Sequence, residues 1–243
     1  MRVTILGSGD AFGSGGRFQT CILIESGATR LLLDCGASSL TAMRRFGVDP
    51  VAVEAVALSH LHGDHFGGVP FLVLDAQFRR RERALTLAGP PGLEARVSAA
   101  MEVLFPGSTA VRRRFETRFL EFADRQPARL GPFTITPFGV VHASGAPPFA
   151  LRVAGDGRVM TYSGDTEWTD ALVEASADAD LFLCEAYSFD RRIRYHLDYR
   201  TLAEHRERLT CRRLLLTHMS DDMLARRGEL DVETAEDGRA IDL

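Results

Sequence analysis

Residues 59–65 read Ser59-His60-Leu61-His62-Gly63-Asp64-His65, with Phe66-Gly67-Gly68 directly behind. Four side chains able to ligate a metal, His60, His62, Asp64 and His65, fall within six residues. The segment before them, Glu54 to Leu58, is apolar and reads as a buried strand ending at His60. The cluster therefore occupies the loop where a strand stops. A tight loop there can aim His60 and His62 one way and Asp64 and His65 another, which suits two metal ions side by side. Neutral imidazole and carboxylate match Zn²⁺ or, with more oxygen, Mn²⁺. A purely structural reading is poor, because crowded imidazoles repel once protonated and are costly to bury unpaired.

Other candidate ligands stand at the ends of later strands. His142 follows the run Phe133 to Val141, Asp165 follows Val159 to Gly164, and His218 follows Arg213 to Thr217. His-x-His-x-Asp-His after an apolar strand, completed by these three residues in this order, resembles the metallo-β-lactamase superfamily. The similarity extends from Leu6-Gly7-Ser8-Gly9 to about Leu224. Within the superfamily, Leu33-Asp34-Cys35-Gly36, Tyr162-Ser163-Gly164-Asp165-Thr166 and Leu216-Thr217-His218-Met219-Ser220 resemble the phosphodiesterase branch. That branch includes ribonuclease Z and phosphoribosyl cyclic phosphodiesterases. It carries a further His after a Cys/His-Glu-Ala segment, and here Cys184-Glu185-Ala186-Tyr187 precedes His196.

The resemblance implies an α/β fold, a four-layer αβ/βα sandwich with two β-sheets between outer helices. It implies that His60, His62 and His142 hold one ion, that Asp64, His65 and His218 hold a second, and that Asp165 and a hydroxide bridge the two. Zinc is the expected metal, with manganese as the alternative. Asp64 and His196 are the expected catalytic residues, His196 as a general acid or oxyanion stabiliser; the competing reading of His196 is a surface loop residue. Asp34 is expected to brace the metal loops, and Glu185 is a weaker candidate of that kind. His205, in the charged run Leu202 to Arg208, is left out of the site.

A chain of 243 residues, 45% hydrophobic and 26% charged, fits a single domain spanning 1–243 with a large core. No apolar run approaches a membrane span and the amino terminus lacks a signal-peptide pattern, so a cytoplasmic protein is expected. Cys21, Cys35, Cys184 and Cys211 form no Cys-x-x-Cys pair and read as buried free thiols. All 29 basic residues are arginine, which excludes Schiff-base and Walker lysine chemistry.

Strands are expected at 2–6, 20–25, 29–34, 54–59, 84–88, 115–122, 133–138, 149–153, 158–163, 180–184 and 213–217. Helices are expected at 37–46, 68–81, 92–104, 168–176, 199–208 and 220–227, giving two similar halves. The glycines from Gly7 to Gly16 miss the dinucleotide spacing at Phe12 and read as a flexible turn near the site mouth. The acidic tail from Arg227 to Leu243 is expected to be partly loose.

The substrate expected is a small or cyclic phosphodiester. Ribonuclease Z relatives that cut precursor transfer RNA carry a long arm between the third-site His and the bridging Asp. Here His142 and Asp165 are 23 positions apart, already filled by two expected strands. A net charge of −4 also argues against a polyanionic partner, so RNA is the disfavoured alternative. The arginine runs at 79–81, 112–114 and 191–194 read mainly as solvated faces. Three rivals remain: a lactonase or thioester hydrolase on the same metals, a flavo-diiron oxidoreductase, against which His62 and the short chain speak, and a non-catalytic member, against which the complete ligand set speaks; the sequence leaves a homodimer open.

Overall fold

Alternating burial along the strands stacks two sheets face to face. The computed structural model describes residues 1–243. The first sheet contains β1 (Arg2–Gly7), β2 (Cys21–Ser26), β3 (Thr29–Leu33), β4 (Ala55–Ala57), β5 (Leu85–Gly89) and β6 (Thr117–Glu121). The second contains β7 (Ala128–Leu130), β8 (Phe133–Gly139), β9 (Phe149–Gly155), β10 (Arg158–Tyr162), β11 (Leu181–Glu185), β12 (Leu214–Thr217) and β13 (Glu233–Thr234). β14 (Ala240–Asp242) returns to the first sheet, so the orders are β14-β1-β2-β3-β4-β5-β6 and β13-β12-β11-β10-β9-β8-β7.

Side chains two apart along a strand share a face. Ile22, Ile24, Leu31, Leu33, Leu181 and Leu183 enter the layer between the sheets. Their neighbours Cys21, Leu23 and Leu32 point to the opposite face of the first sheet. That face is covered by α1 (Ser39–Arg45), the single turn α2 (Gly63–Phe66), α3 (Val69–Phe78) and α4 (Leu93–Leu104). Phe182 and Cys184 pack outward on the second sheet against α5 (Asp170–Ser176), α6 (Tyr199–Glu204) and α7 (Asp221–Ala225). The result is the expected sandwich of helices, sheet, sheet and helices. Each fully buried Leu or Ile in these layers contributes about 1.5–3 kcal/mol of transfer free energy.

β3, β4, β5 and β6 run parallel, as do β10, β11, β12 and β13. Parallel neighbours end on the same edge, so the loops after β4, β10, β11 and β12 collect there, and ligand sites of open α/β sheets form at such carboxyl ends.

Several expectations need correction. The tail is not loose: β13 pairs with β12, β14 pairs with β1, and Ala235 and Ile241 are buried. β7, absent from the sequence reading, forms a hairpin with β8. The helix expected over 68–81 stops at Phe78, because Arg80 turns into the left-handed region (φ 53°). Arg81 is then buried, donating to the carbonyls of Val51, Val53, Arg83 and Ala84, so this arginine run is not wholly a solvated face. The glycine loop is also braced. Asp10 accepts from the Phe12 and Ser14 N–H groups and the Ser14 hydroxyl, and Asp221 accepts from Gly15 N–H.

Candidate metal centre

The strand ends bring all seven candidate ligands onto one edge of the sandwich. Beyond β4, Ser59 and His60 lead into α2, which carries Asp64 and His65. Gly36 allows this loop its close approach: a Cβ there would lie 2.2 Å from the Asp64 carbonyl oxygen. Gly164, with φ +60° and Ser59 against it, makes the turn that delivers Asp165 after β10. Asp34 and His218, at the ends of β3 and β12, hold φ of 56° and 58°. Non-glycine residues rarely adopt that conformation, and it persists where surrounding contacts over-determine it.

His60, His62 and His142 form one group. Their rings lie 4.7–5.0 Å apart, and His142 Nε2 stands 3.0 Å from His62 Nδ1. Asp64, His65, Asp165 and His218 form the other. His65 Nε2 is 3.2 Å from Asp64 Oδ2 and 3.3 Å from Asp165 Oδ1. Asp165 Oδ2 is 3.2 Å from His218 Nε2 and 3.9 Å from His60 Nε2, so one carboxylate faces both groups.

Hydrogen bonds behind the cluster fix which nitrogen faces it. His65 Nδ1 donates to Asp34 Oδ2 at 2.7 Å. The same carboxylate accepts from Ser59 N–H at 2.7 Å and from the Ser59 hydroxyl at 2.8 Å. Buried Asp34 thus ties the end of β3 to the loop after β4, as the sequence suggested. His142 Nδ1 donates to the Tyr195 carbonyl at 2.8 Å. His218 Nδ1 lies 3.4 Å from the Thr20 hydroxyl.

The electrostatics follow from burial and crowding. Burial drives His60 well below the ordinary imidazole value, and His65 beside it acts in the same direction. Burial is also the largest cause lowering His142 and His218. It opposes charge on His65 too, but Asp165, Asp64 and Asp34 outweigh it and hold that imidazole well above its usual range. Asp165 is pulled well below the usual carboxylate range, because His218, His65 and His60 outweigh its burial.

The donor set fits divalent cations. His60 Nε2, His65 Nε2 and Asp165 Oδ1 are buried without a hydrogen-bond partner, and all three point into the cluster. Buried polar atoms are normally satisfied. A cation bound here would satisfy them and displace the proton that His65 otherwise holds between carboxylates.

His196 stands at the margin. Its Nδ1 donates to Glu185, which is buried at the end of β11, and lies 4.0 Å from Asp165 Oδ2. Burial disfavours charge on His196, but the bond to Glu185 outweighs it and raises the imidazole to about 9. Burial, with Asp165, in turn pushes the Glu185 carboxyl up. The Tyr187 ring flanks His196 with 4.8 Å between centroids. Beyond His196 opens a cavity of about 470 Å³, whose walls include Trp168, Arg192, Ile193, Arg194 and Thr201.

The family model described as Anti-Pycsar protein Apyc1 matches residues 1–235. The chain belongs to the Apyc1 family. The ribonuclease Z of Haloferax volcanii is 30% identical to it, over 90% of this chain and 84% of that one. Two solved structures share the fold of this Apyc1 family member. Human tRNase Z, short form, superposes with a TM-score of 0.80 at 23% identity, covering 100% of this chain and 99% of the other. YhfI from Bacillus subtilis, a metallo-beta-lactamase fold protein, gives 0.78 at 24% identity, covering 99% and 98%. The metallo-β-lactamase resemblance therefore holds, and the chain's homologues include hydrolases of that fold.

Sequence reasoning missed the residues that act behind the cluster. Ser59 stands next to His60 and could have been read as its support, but Thr20 and Tyr195 carry no local signal. His205, assigned to a charged helix face, stacks on Trp168 with centroids 4.3 Å apart, so it supports a wall of the cavity.

Proposed function

We propose that this Apyc1 family member is a phosphodiesterase acting on a small or cyclic phosphodiester, with two divalent ions, zinc for preference, in the His/Asp cluster. His60, His62 and His142 would hold one ion, Asp64, His65 and His218 the other, and Asp165 both. Two such ions supply a nucleophilic hydroxide at neutral pH and neutralise the phosphate charge. The chain's own residues do the rest. Asp34 keeps the His65 Nε2 lone pair turned inward, and the Tyr195 carbonyl does the same for His142. Asp64 shares the edge with His218, 3.9 Å away.

The observation that carries this reading is the Glu185–His196 pair. His196 is not needed to complete either the His60–His62–His142 group or the Asp64–His65–Asp165–His218 group, yet it borders Asp165 and its Nδ1–H is already donated to Glu185. His196 lines the cavity, so the Nε2–H that Glu185 does not engage is available to give a proton to a departing oxygen. A proton donor is required most when that oxygen is a poor leaving group such as a ribose alkoxide. A lactone or thioester makes less use of it.

Substrate size is argued from the surroundings. β9 and β10 occupy the span between His142 and Asp165 and are joined by the short turn at Asp156 and Gly157, so that span holds no protruding arm. The cavity beyond His196 suits the organic part of one small diester. Cleavage of an RNA is the second reading, favoured by the identity to the Haloferax enzyme. We also read residues 1–243 as one domain and, from four free buried cysteines, a reducing cytoplasmic setting.

The test is a panel on the metal-reconstituted chain: a ribose cyclic phosphate, bis(p-nitrophenyl) phosphate, a short precursor transfer RNA, a lactone and a thioester. Preferential turnover of the two small diesters is expected. Preference for the RNA would support the second reading, and preference for lactone or thioester would overturn both.

A further inference from the structure

The segment from Ala186 to Asp198 links β11 to α6 and does two things at neighbouring residues. The Tyr195 carbonyl orients His142, and the next residue is His196. Within the segment the Tyr187 N–H donates to the Leu197 carbonyl at 2.9 Å and the His196 N–H to the Ile193 carbonyl at 3.0 Å, so its base and the turn before His196 are held, but neither bond uses the N–H or C=O of Tyr195. Arg191, Arg192 and Arg194 are exposed and make no ion pair with any acid, and Tyr195 sits at φ 72°, an unfavourable conformation for a bulky residue. The Tyr195 N–H is held by one contact from outside the segment.

That contact is Glu167. Its Oε1 accepts from Tyr195 N–H at 2.6 Å. Glu167 is itself tightly set: its N–H donates to the Val141 carbonyl at 3.1 Å, and its own carbonyl accepts from the Thr166 hydroxyl at 2.6 Å. That hydroxyl also accepts from Val141 N–H at 3.0 Å. Residues 141, 166 and 167 thus form one knot beside His142 and two positions past Asp165. From it a single carboxylate reaches the N–H of the residue whose C=O holds His142.

We infer that Glu167 is a positioning residue that acts through Tyr195 on both the His60–His62–His142 group and His196. With the N–H of Tyr195 held by Glu167 and its C=O held by His142, the peptide planes on both sides of residue 195 are fixed. Fixing them keeps the His142 Nε2 lone pair turned toward His60 and His62, and it sets where His196 begins. Glu185 then needs only to orient the His196 ring. The role in proton donation rests on the phosphodiesterase reading above; the role toward His142 does not.

The test compares Glu167→Ala, Glu167→Asp and Glu167→Gln in the full chain loaded with zinc. One readout is zinc release to a chromogenic chelator. The other is the ratio of turnover on a ribose cyclic phosphate to turnover on bis(p-nitrophenyl) phosphate. Outer-sphere partners of metal ligands typically alter affinity about 10–100-fold. In Glu167→Ala, one of two ions should leave at least about 10-fold faster while the other keeps its wild-type rate, and the turnover ratio should fall about 10-fold. Glu167→Asp keeps the charge but draws the oxygen back from Tyr195 N–H, so it should show the same pattern more mildly. Glu167→Gln keeps an acceptor oxygen at the same reach and should restore both readouts to within about threefold. Should Glu167→Ala fail to fold, the Asp variant decides the matter. Wild-type release and ratio in the Asp variant, or equal acceleration of both ions, would overturn the inference. If the wild-type chain cleaves neither diester, the phosphodiesterase reading fails, and selective loss of one ion still tests the part concerning His142.

Discussion

Replacing Glu185 by Gln removes the charge that holds the proton on His196 while keeping a side chain of the same size. In the wild-type chain the bond to Glu185 raises His196 to about 9, against the burial that would lower it. Without that carboxylate the imidazole falls to its ordinary value of about 6.5 or below. A raised value means that the acid form is fully present at low pH and is lost as pH rises through about 9. At pH 8 a group titrating near 9 is about 90% protonated, and one titrating near 6.5 about 3%. The variant should therefore turn over a ribose cyclic phosphate about 30-fold more slowly at pH 8, and its deficit should shrink to about 1.3-fold at pH 6. The assay is kcat from pH 5.5 to 10 on the cyclic phosphate and on bis(p-nitrophenyl) phosphate, with metal content checked for each preparation. Cations in the cluster repel an imidazolium, so about 9 is the upper bound for the wild-type alkaline limb. The nitrophenyl ester, whose leaving group departs without a proton, should show little of either effect. An alkaline limb that stays put in Glu185→Gln, or one of equal size on both esters, would refute the assignment of His196 as the acid.

Asp165→Ala should bind fewer than one tightly held ion per chain and lose nearly all turnover, as read by metal analysis and kinetics, because that carboxylate faces His60 of one candidate group and His218 of the other. Ile241→Ala should cost about 2–5 kcal/mol in urea unfolding, the usual range for a buried Ile; a change near zero would restore the picture of a loose tail. His205→Ala should keep full metal content but raise KM about 2–10-fold, the worth of one aromatic stack at about 0.5–1.5 kcal/mol, because Trp168 loses its support at the cavity wall.

The His/Asp cluster was legible in the sequence because its residues are local. His60, His62, Asp64 and His65 share one short loop, and each remaining candidate stands directly after an apolar run that must be a strand. Asp34 was legible for the same reason, standing at the end of Leu31-Leu32-Leu33. What escaped depends on distant partners. β13 is two residues long and exists because β12 offers it a parallel edge, and β14 exists because β1 does. Arg81 looks like its exposed neighbours until the chain reverses at Arg80 and surrounds it with carbonyls. Glu167 and Tyr195 lie 28 positions apart, and neither the glutamate nor the tyrosine carries any pattern of its own. His205 was left out of the site as part of a charged helix, and the stack that Trp168 makes on it from another loop carries no signal in the sequence.

The most direct measurement is turnover of a ribose cyclic phosphate as zinc is titrated into metal-free chain, with bound zinc counted at each point. Turnover should be absent without metal, rise steeply, and level off at two ions per chain, as expected if the His60–His62–His142 group and the Asp64–His65–Asp165–His218 group each hold one. Full turnover in the metal-free chain, or a plateau at one ion, would contradict a two-metal phosphodiesterase.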